Sequence, residues 1–338
     1  MKWTRRVATT SDGHATAGVG LSRGSAFAAL ALANVLWAGT YAAGKIALGE
    51  ISPIMLNAIR FTLAALLLSP VLFHERMRVR TILRSRSDLL TLGVLILLGW
   101  ALNKLFEYIG LALSTASDVA LLISTESLFT AALSWIVLRE RVTRLGVAAL
   151  GVGMLGAYLV VARGLIPTLG ASEGVNNAAR ILGDLLVMLA LFIEALYTIR
   201  GKTVLNRWPP LFFTALTITG SLVFWLPAGG VAAAQSGWPR LSASGWLGVG
   251  YMAVFSTVVA YWLWFRGLTV FEGSAAAPLL FIQPLLGTIL AVWLLDDRLT
   301  WATVAGGALI LLSMILVLRG GAGAAAPEAE ATLVEPSP

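Results

Sequence analysis

Long apolar runs separated by short polar breaks fill the chain between residues 25 and 319. A transmembrane helix needs about 20 mostly apolar residues. Only helices and closed barrels satisfy their backbone hydrogen bonds in lipid, and these runs are too long and too continuously apolar for barrel strands. The sequence therefore predicts an all-α integral membrane protein with ten transmembrane helices. The ten spans are 25–48, 53–73, 88–111, 115–138, 145–163, 182–200, 210–230, 246–268, 275–295 and 301–319.

The composition excludes several other classes of protein. Only 12% of the residues are charged, against about 25% in soluble proteins, so water cannot cover the whole surface. The chain has no cysteine, which excludes disulfides, thiolate catalysis and cysteine-ligated metals. Its two histidines, His14 and His74, lie outside the long apolar runs. We therefore expect neither a metal site nor a cofactor.

The distribution of lysine and arginine predicts the orientation of the spans. With the N terminus inside, 17 of these residues fall on the inner side and 5 on the outer side. Basic residues favour the cytoplasmic side, so we expect both termini inside and a multi-pass protein of the plasma (inner) membrane. The same arrangement accounts for the pI of 10.1 without nucleic acid as a partner. The outer residues are Lys45, Arg163, Arg180, Arg240 and Arg298.

An internal repeat relates the two halves of the chain. A shift of 157 residues places Pro53 on Pro210 and Gly110 on Gly267. From residue 110 onward, 15 of 51 aligned pairs are identical, where about one in ten is expected by chance. Five spans per half is an odd number, which predicts inverted repeats. Inverted repeats are typical of secondary transporters that work by alternating access; the alternative is a neutral duplication in another membrane protein.

This repeat predicts the domain organisation. We expect two five-helix repeats at 25–163 and 182–319, joined by an external linker at 164–181. The polar, basic segment 1–24 and the Gly-, Ala- and Pro-rich segment 320–338 are expected to be disordered cytoplasmic tails.

Several short motifs resemble the EamA-type branch of the drug/metabolite transporter superfamily. The resemblance covers about residues 27–319 and departs at Ser127, where the family usually has proline. It implies a transporter that exports small metabolites and is driven by protons or by the substrate gradient. Aromatic and polar residues inside the spans suit amino acids or related polar and aromatic compounds as substrates. The motifs are Trp37-Ala-Gly39, Arg60-Phe61, Ala116-Ser-Asp118, Thr125-Glu126-Ser-Leu-Phe-Thr130, Leu138-Arg-Glu140-Arg141, Gln283-Pro284-Leu285 and Leu295-Asp-Asp297-Arg298.

Five of the charged residues inside the predicted spans stand out, since a charge costs at least about 2.5–3.5 kcal/mol at mid-bilayer. One hypothesis is a polar cavity, in which Arg60 or Lys104 binds a substrate carboxylate and a glutamate takes up a proton. The alternative is a structural ion-pair network between helices. Lys104 and Glu107 are spaced i,i+3 and so suit a pair within one helix. The five residues are Arg60, Lys104, Glu107, Glu126 and Glu194.

Glu194 differs from the other four because no lysine or arginine lies at its i±3 or i±4 positions. An unpaired carboxyl in a medium of low dielectric tends to be neutral. We expect Glu194 to carry a proton; the alternative is a protonated side chain that hydrogen-bonds across helices.

Further polar and aromatic residues are candidates to line a substrate cavity, with ordinary helix packing as the alternative. They are Trp37, Tyr41, Asn103, Tyr108, Trp262, Trp264 and Gln283. Lys45 is expected to be an interfacial anchor and Asp118 to lie at an outer helix end. Ala149, Gly153 and Ala157 form a small-residue stripe that favours close helix packing.

Together these features predict a secondary active transporter rather than an enzyme, acting in the lipid bilayer on a small-molecule metabolite and coupled to protons. An uncoupled facilitator or channel is the nearer alternative, and an integral membrane lipid-modifying enzyme the more distant one. The sequence leaves open whether the protein is a monomer or a homodimer.

Overall fold

The computed structural model describes a helical protein. It covers residues 22–126, 128–129, 132–133, 144–164, 171–172, 175–205, 207–268, 279 and 282–322. Within these residues the only strands are β1 (Ala171–Ser172) and β2 (Val175–Asn176), which pair antiparallel. The predicted all-α class is therefore confirmed, apart from this two-residue ladder.

The first half contains seven described helices, two of which are joined by a π-helical segment. Ser52 caps α2 by accepting a hydrogen bond from the backbone N–H of Met55, and Pro53 occupies the first turn, where proline is tolerated. The elements are α1 (Arg23–Leu48), α2 (Pro53–His74), α3 (Arg76–Arg84), α4 (Arg86–Ile96), the π segment Leu97–Leu102, α5 (Asn103–Leu113), α6 (Ala116–Leu122) and α7 (Arg144–Ala162).

The second half contains six described helices and a second π-helical segment. The elements are α8 (Asn177–Leu205), α9 (Pro210–Ser236), α10 (Ala243–Tyr251), the π segment Met252–Val259, α11 (Ala260–Leu268), α12 (Ile282–Leu295) and α13 (Trp301–Ala322). Shifted by 157 residues, the first π segment falls on 254–259, inside the second. The repeat seen in the sequence therefore extends to an uncommon backbone conformation.

Six stretches of helix in the described residues are long and apolar enough to cross a membrane. Two shorter apolar helices are Ile282–Leu295 and Trp301–Leu316. These lengths are those of a multi-pass integral membrane protein. The six are Gly24–Leu48, Pro53–His74, Arg86–Leu113, Arg144–Ala162, Pro210–Ser236 and Ala243–Trp264.

Several boundaries differ from those predicted. The helix α3 lies in the polar break between the second and third predicted spans, where no helix was expected. In each half of the chain, the third predicted span is divided by a π segment. The ninth span is described as helix from Ile282, which places Pro284 within the described helix. Ser127, where the sequence departs from the family pattern, lies outside the described residues. The ladder β1–β2 and the start of α8 fall in the predicted linker.

Helices of one half pack against helices of the other in three antiparallel pairs: α2 with α9, α5 with α8, and α7 with α13. In the second pair, a Cβ on Gly110 would lie 2.6 Å from the carbonyl oxygen of Gly183, and one on Gly183 would lie 2.7 Å from that of Gly110. Gly156 and Gly306 are related in the same reciprocal way. Glycine on both helices of each contact thus lets the two backbones approach closely.

The first helix of each half also contacts the other half. α1 packs against α10, α11 and α12, while α8 packs against α5 and α6. The helix α1 runs parallel to α12, since the Asn34–Gln283 contact and the contact of Ala38 with Gly287 advance together along both helices.

A hydrogen-bonded contact joins α1 to α10 at one end of the bundle. The Glu50 carboxylate follows α1 and accepts hydrogen bonds from the hydroxyl (2.5 Å) and the backbone N–H (2.6 Å) of Ser242, which precedes α10. These hydrogen bonds hold the pKa of the Glu50 carboxyl below its usual range. The bond from the Ser242 hydroxyl has the larger effect and the bond from its backbone N–H the smaller. The contact is therefore strongest when Glu50 is ionised.

The α7–α13 contact makes a testable prediction with a control on the same helix. In Gly156→Ala the new Cβ would lie 2.6 Å from the Gly306 carbonyl oxygen, so α7 and α13 must separate, and we expect about 1–3 kcal/mol of destabilisation. Gly151→Ala adds a Cβ with nothing within 4 Å and gains helix propensity, so it should be neutral or stabilising. Thermal unfolding in detergent measures both; equal effects would contradict this packing.

Candidate functional site

Three charged side chains meet in the middle of the α5–α8 contact. The Lys104 Nζ lies 2.7 Å from a Glu107 carboxylate oxygen and 3.7 Å from one of Glu194. Lys104 and Glu107 are buried, and the side chain of Glu194 is 15% exposed. The expectation that Glu194 is unpaired is therefore wrong, because Lys104 reaches it from another helix. The predicted Lys104–Glu107 pair is confirmed.

Arg60 lies beside this ion cluster on α2 and is 3% exposed. Its Nε donates a hydrogen bond to the Thr257 hydroxyl (2.7 Å) and its Nη1 donates to the Tyr108 hydroxyl. Its guanidinium carbon is 5.3 Å from the ring centroids of both Phe61 and Tyr108. Among the described residues, no carboxylate lies within ion-pair distance of Arg60. Arg60 is thus a buried cation held by neutral groups.

The two π segments flank the ion cluster and offer backbone carbonyl groups to side chains. The Trp225 indole donates to the Trp100 carbonyl (2.9 Å), and the Trp37 indole donates to the Ser256 carbonyl (3.0 Å). The Thr257 hydroxyl that receives Arg60 also donates to the Met252 carbonyl, five residues earlier. π-Helical turns are rare and often occur at functional sites, which makes these segments part of the candidate site.

Aromatic side chains continue from the ion cluster toward α1. The Trp37 ring is 5.2 Å from Tyr261 and 5.5 Å from Trp264, centroid to centroid. Tyr261 is also 5.2 Å from Trp100, which in turn is 5.6 Å from Phe61 beside Arg60. The structure therefore connects Trp37 and Trp264, both predicted candidates, to Arg60 through a row of rings.

Equivalent positions of the two halves carry different chemistry here. A shift of 157 residues places Trp37 on Glu194 and Lys104 on Tyr261. The Glu194–Lys104 ion pair thus corresponds under the repeat to the Trp37–Tyr261 ring contact, and each of these pairs joins one half to the other. The candidate site consequently has a charged side and an aromatic side at pseudo-equivalent places.

The remaining predicted residues lie around this centre. The Asn103 side-chain amide donates to the Ala190 carbonyl (2.8 Å), which links α5 to α8, and Tyr41 is buried. Glu126, just after α6, is within electrostatic range of Lys104, Glu107 and Glu194. Gln283 on α12 donates to the Asn34 side chain (2.8 Å) on α1 and does not touch the ion cluster.

A second ion network lies at the end of the bundle where α6 and α8 begin. Asp118 is fully buried and pairs with Arg163 (2.7 Å) and Arg180 (3.3 Å). Arg180 also pairs with Asp184 (2.7 Å), which accepts a hydrogen bond from Ser114. The network binds the first half to the second, since Asp118 and Arg163 belong to one and Arg180 and Asp184 to the other.

Lys45 and Asp118 lie at this end of the bundle, each with partners that the sequence did not predict. The Lys45 ammonium group donates to the carbonyls of Leu111 (2.8 Å), Ala112 (3.1 Å) and Ser114 at the C-terminal end of α5. Asp118 lies in the first turn of α6, at a helix end as expected, and is also a fully buried member of the second ion network.

Four residues of this centre were not predicted from the sequence: Asn34, Trp100, Thr257 and Tyr261. The second ion network was not predicted either. A signal existed for Tyr261, which is the 157-residue counterpart of the predicted residue Lys104.

Comparisons with known proteins agree with this geometry. The profile of the EamA-like transporter family matches residues 24–162 and 181–319. The chain belongs to this family. The two matches are offset by 157 residues, the spacing of the internal repeat, and cover both halves. The protein is therefore a membrane transporter and not an enzyme, as predicted.

Similar proteins include transporters from archaea and bacteria. An "Uncharacterized transporter" of Archaeoglobus fulgidus is 27% identical over 85% of this chain and 95% of its own. A "Probable amino-acid metabolite efflux pump" of Salmonella typhimurium is 26% identical over 89% and 96%, and one of Escherichia coli is 25% identical over 86% and 93%. A solved crystal structure matches with a TM-score of 0.56 at 20% identity, over 89% of this chain and 99% of that one; this concerns the fold alone.

The second ion network predicts a large effect of a single neutral substitution. In Asp118→Asn, Arg163 and Arg180 lose a fully buried carboxylate partner, and breaking such a pair costs about 3–5 kcal/mol. We expect a loss of about 3 kcal/mol in the free energy of unfolding, since Asp184 still pairs with Arg180.

The matched control is Glu75→Gln, which breaks the exposed pair with Arg78 and should cost about 0–1 kcal/mol. Chemical unfolding in detergent compares the two variants. Similar small losses would mean that Asp118 does not stabilise the bundle.

Proposed function

We propose that the protein is a secondary active exporter of amino acids or related small metabolites that works by alternating access and is coupled to protons. The observation that carries the proposal is the buried cluster of Lys104, Glu107 and Glu194 with Arg60 beside it, between the two halves. The names of the Salmonella typhimurium and Escherichia coli relatives support amino-acid metabolites as substrates and export as the direction.

The chemistry of Arg60 supports recognition of a substrate carboxylate. Its partners, Tyr108 and Thr257, are neutral hydroxyls, so its positive charge has no carboxylate partner among the described residues. A planar guanidinium group suits bidentate binding of a carboxylate. The rings of Trp37, Tyr261 and Trp264 then provide an apolar surface for a substrate side chain. Trp37, Trp264, Tyr108, Lys104, Asn103, Tyr41 and Gln283 are the other residues proposed to contribute to substrate binding.

The charge balance supports proton coupling. In this region three carboxyl groups, those of Glu107, Glu126 and Glu194, lie around the Lys104 cation, and the Arg60 cation lies nearby, bound to Tyr108. Buried like charges disfavour simultaneous ionisation, so one proton neutralises the group. A substrate carboxylate at Arg60 changes this balance and thereby links substrate binding to proton binding.

The helix directions support inverted repeats. The pairs α2–α9, α5–α8 and α7–α13 are antiparallel, and α1 runs parallel to α12, as a two-fold axis in the membrane plane requires. We propose ten spans: α1, α2, α4 to α5, α6 with the residues after it, α7, α8, α9, α10 to α11, α12 and α13. Exchange of the two halves' conformations then opens the site to either side.

The remaining predictions about organisation belong to the same proposal. The excess of basic residues supports cytoplasmic termini and a place in the plasma (inner) membrane. The repeats are 25–163 and 182–319, with an external linker at 164–181 and cytoplasmic tails at 1–24 and 320–338. A monomer or a homodimer suits this arrangement.

The role of Arg60 is tested by substrate exchange in proteoliposomes at equal pH on both sides. Untargeted metabolite profiling of overexpressing cells first selects the amino acid to be labelled. Arg60→Gln removes a charge-assisted contact worth about 1.5–3 kcal/mol, so the half-saturation concentration should rise about tenfold or more.

Arg207→Gln is the control, since it removes an exposed arginine that pairs with Asp88 on the surface. An unchanged half-saturation concentration in Arg60→Gln, or an equal rise in both variants, would exclude Arg60 as the carboxylate site.

The role of Glu194 is tested by comparing two transport modes in one variant. Glu194→Gln keeps the size of the side chain but cannot bind or release a proton. We expect it to abolish accumulation driven by a pH gradient while substrate exchange at equal pH continues. Glu75→Gln, at an exposed ion pair, should leave both modes intact.

Two outcomes contradict this assignment. If Glu194→Gln leaves both modes unchanged, Glu194 is structural. If a protonophore has no effect on substrate flux through the unmodified protein, the protein is an uncoupled facilitator rather than a proton-coupled exporter.

A further inference from the structure

The short helix α3 (Arg76–Arg84) lies between two membrane-spanning helices. A single residue separates α3 from each neighbour: α2 ends at His74, before Glu75, and α4 begins at Arg86, after Ser85. Both neighbours belong to helices long and apolar enough to cross the bilayer. With so few connecting residues, α3 must lie at the level of the lipid headgroups.

The outward face of α3 combines positive charge with apolar surface. Arg76, Arg80 and Arg84 are spaced four residues apart, which places them on one stripe of the helix, and all three are exposed. Among them, Met77 is 66% exposed and Leu83 is 53% exposed. The opposite face carries the buried Ile82. An exposed face that mixes arginine and large apolar side chains is typical of helices lying in a membrane interface.

The nearby carboxylates are occupied by other arginines. Glu75 pairs with Arg78 (2.8 Å), and Asp88 pairs with Arg207 (3.1 Å). In the part of the chain that the structure describes, the arginines of the stripe have no carboxylate within 4.0 Å. The stripe therefore presents uncompensated positive charge to an anionic ligand.

Two cavities of about 350 Å³ each lie along the stripe. The first is formed by Arg76 and Arg80 together with apolar residues of α2 and α3, including Phe73, which is 72% exposed. The second is formed by Arg84 and Arg86 together with Leu83, Leu89 and Leu90. Each cavity thus places two guanidinium groups next to apolar side chains.

We propose that α3 is a binding site for anionic phospholipids. The phosphodiester lies against the guanidinium groups of Arg76, Arg80 and Arg84, which donate charge-assisted hydrogen bonds to its oxygens. The acyl chains extend along Phe73 in the first cavity and along Leu89 and Leu90 in the second. A lipid headgroup fits better than free phosphate, since both cavities offer an apolar surface beside the charge.

The test is native mass spectrometry of the delipidated full-length protein in detergent, titrated with phosphatidylglycerol or phosphatidylcholine. We expect phosphatidylglycerol to bind with a dissociation constant at least about tenfold lower than phosphatidylcholine. Inorganic phosphate at equal concentration should not displace it. Equal binding of the two lipids, or displacement by phosphate, would overturn the proposal, and this comparison requires no variant.

A charge-matched pair of variants then locates the site. Arg76→Gln/Arg80→Gln/Arg84→Gln should weaken phosphatidylglycerol binding about tenfold or more. Lys2→Gln/Arg5→Gln/Arg6→Gln removes the same number of positive charges from the N-terminal segment. This control should change the dissociation constant for phosphatidylglycerol less than about twofold. Unchanged binding in the α3 variant, or an equal loss in both, would show that the lipid does not bind at this stripe. Neither result depends on the transport activity proposed above.

Discussion

A bilayer offers no hydrogen bonds, so every polar group that enters it must find a partner within the chain. This constraint accounts for both ion networks of the protein. Lys104 pairs with Glu107 on its own helix and with Glu194 on another, and Asp118 is shared by Arg163 and Arg180. In each case the partners come from both halves, so the charges also hold the halves together.

The close approach of the halves depends on glycine at the helix crossings. Gly110 faces Gly183, and Gly156 faces Gly306, so backbones meet where any side chain would separate them. Between these crossings the two π segments turn carbonyl groups toward Trp225 and Trp37. The protein thus combines tight backbone packing with a polar centre.

Pseudo-symmetry of the backbone does not extend to the chemistry. The Glu194–Lys104 pair and the Trp37–Tyr261 contact occupy equivalent positions, yet one is ionic and the other aromatic. A duplicated fold therefore provides two related places for side chains, and divergence of the side chains makes the centre charged on one side and apolar on the other. This asymmetry suits a substrate that is itself polar at one end.

Much of the fold could be predicted because lipid imposes a length and an apolar composition on each span. The predicted starts of the first, second, seventh and tenth spans agree with the helices within two residues. The helix α3 was missed because it is short and basic. The π segments were missed because a shifted hydrogen-bond pattern depends on the packing around it.

The candidate site, like the fold, could be predicted from the sequence only in part. The sequence alone identified Arg60, Lys104, Glu107 and Glu194, since a charge within an apolar run is conspicuous. Only the tertiary structure decided their partners: Glu194 meets Lys104 across 90 residues of chain, while Arg60 meets Tyr108 and no described carboxylate. Composition along the chain determines which residues must be buried in the membrane, but helix packing determines which of them meet.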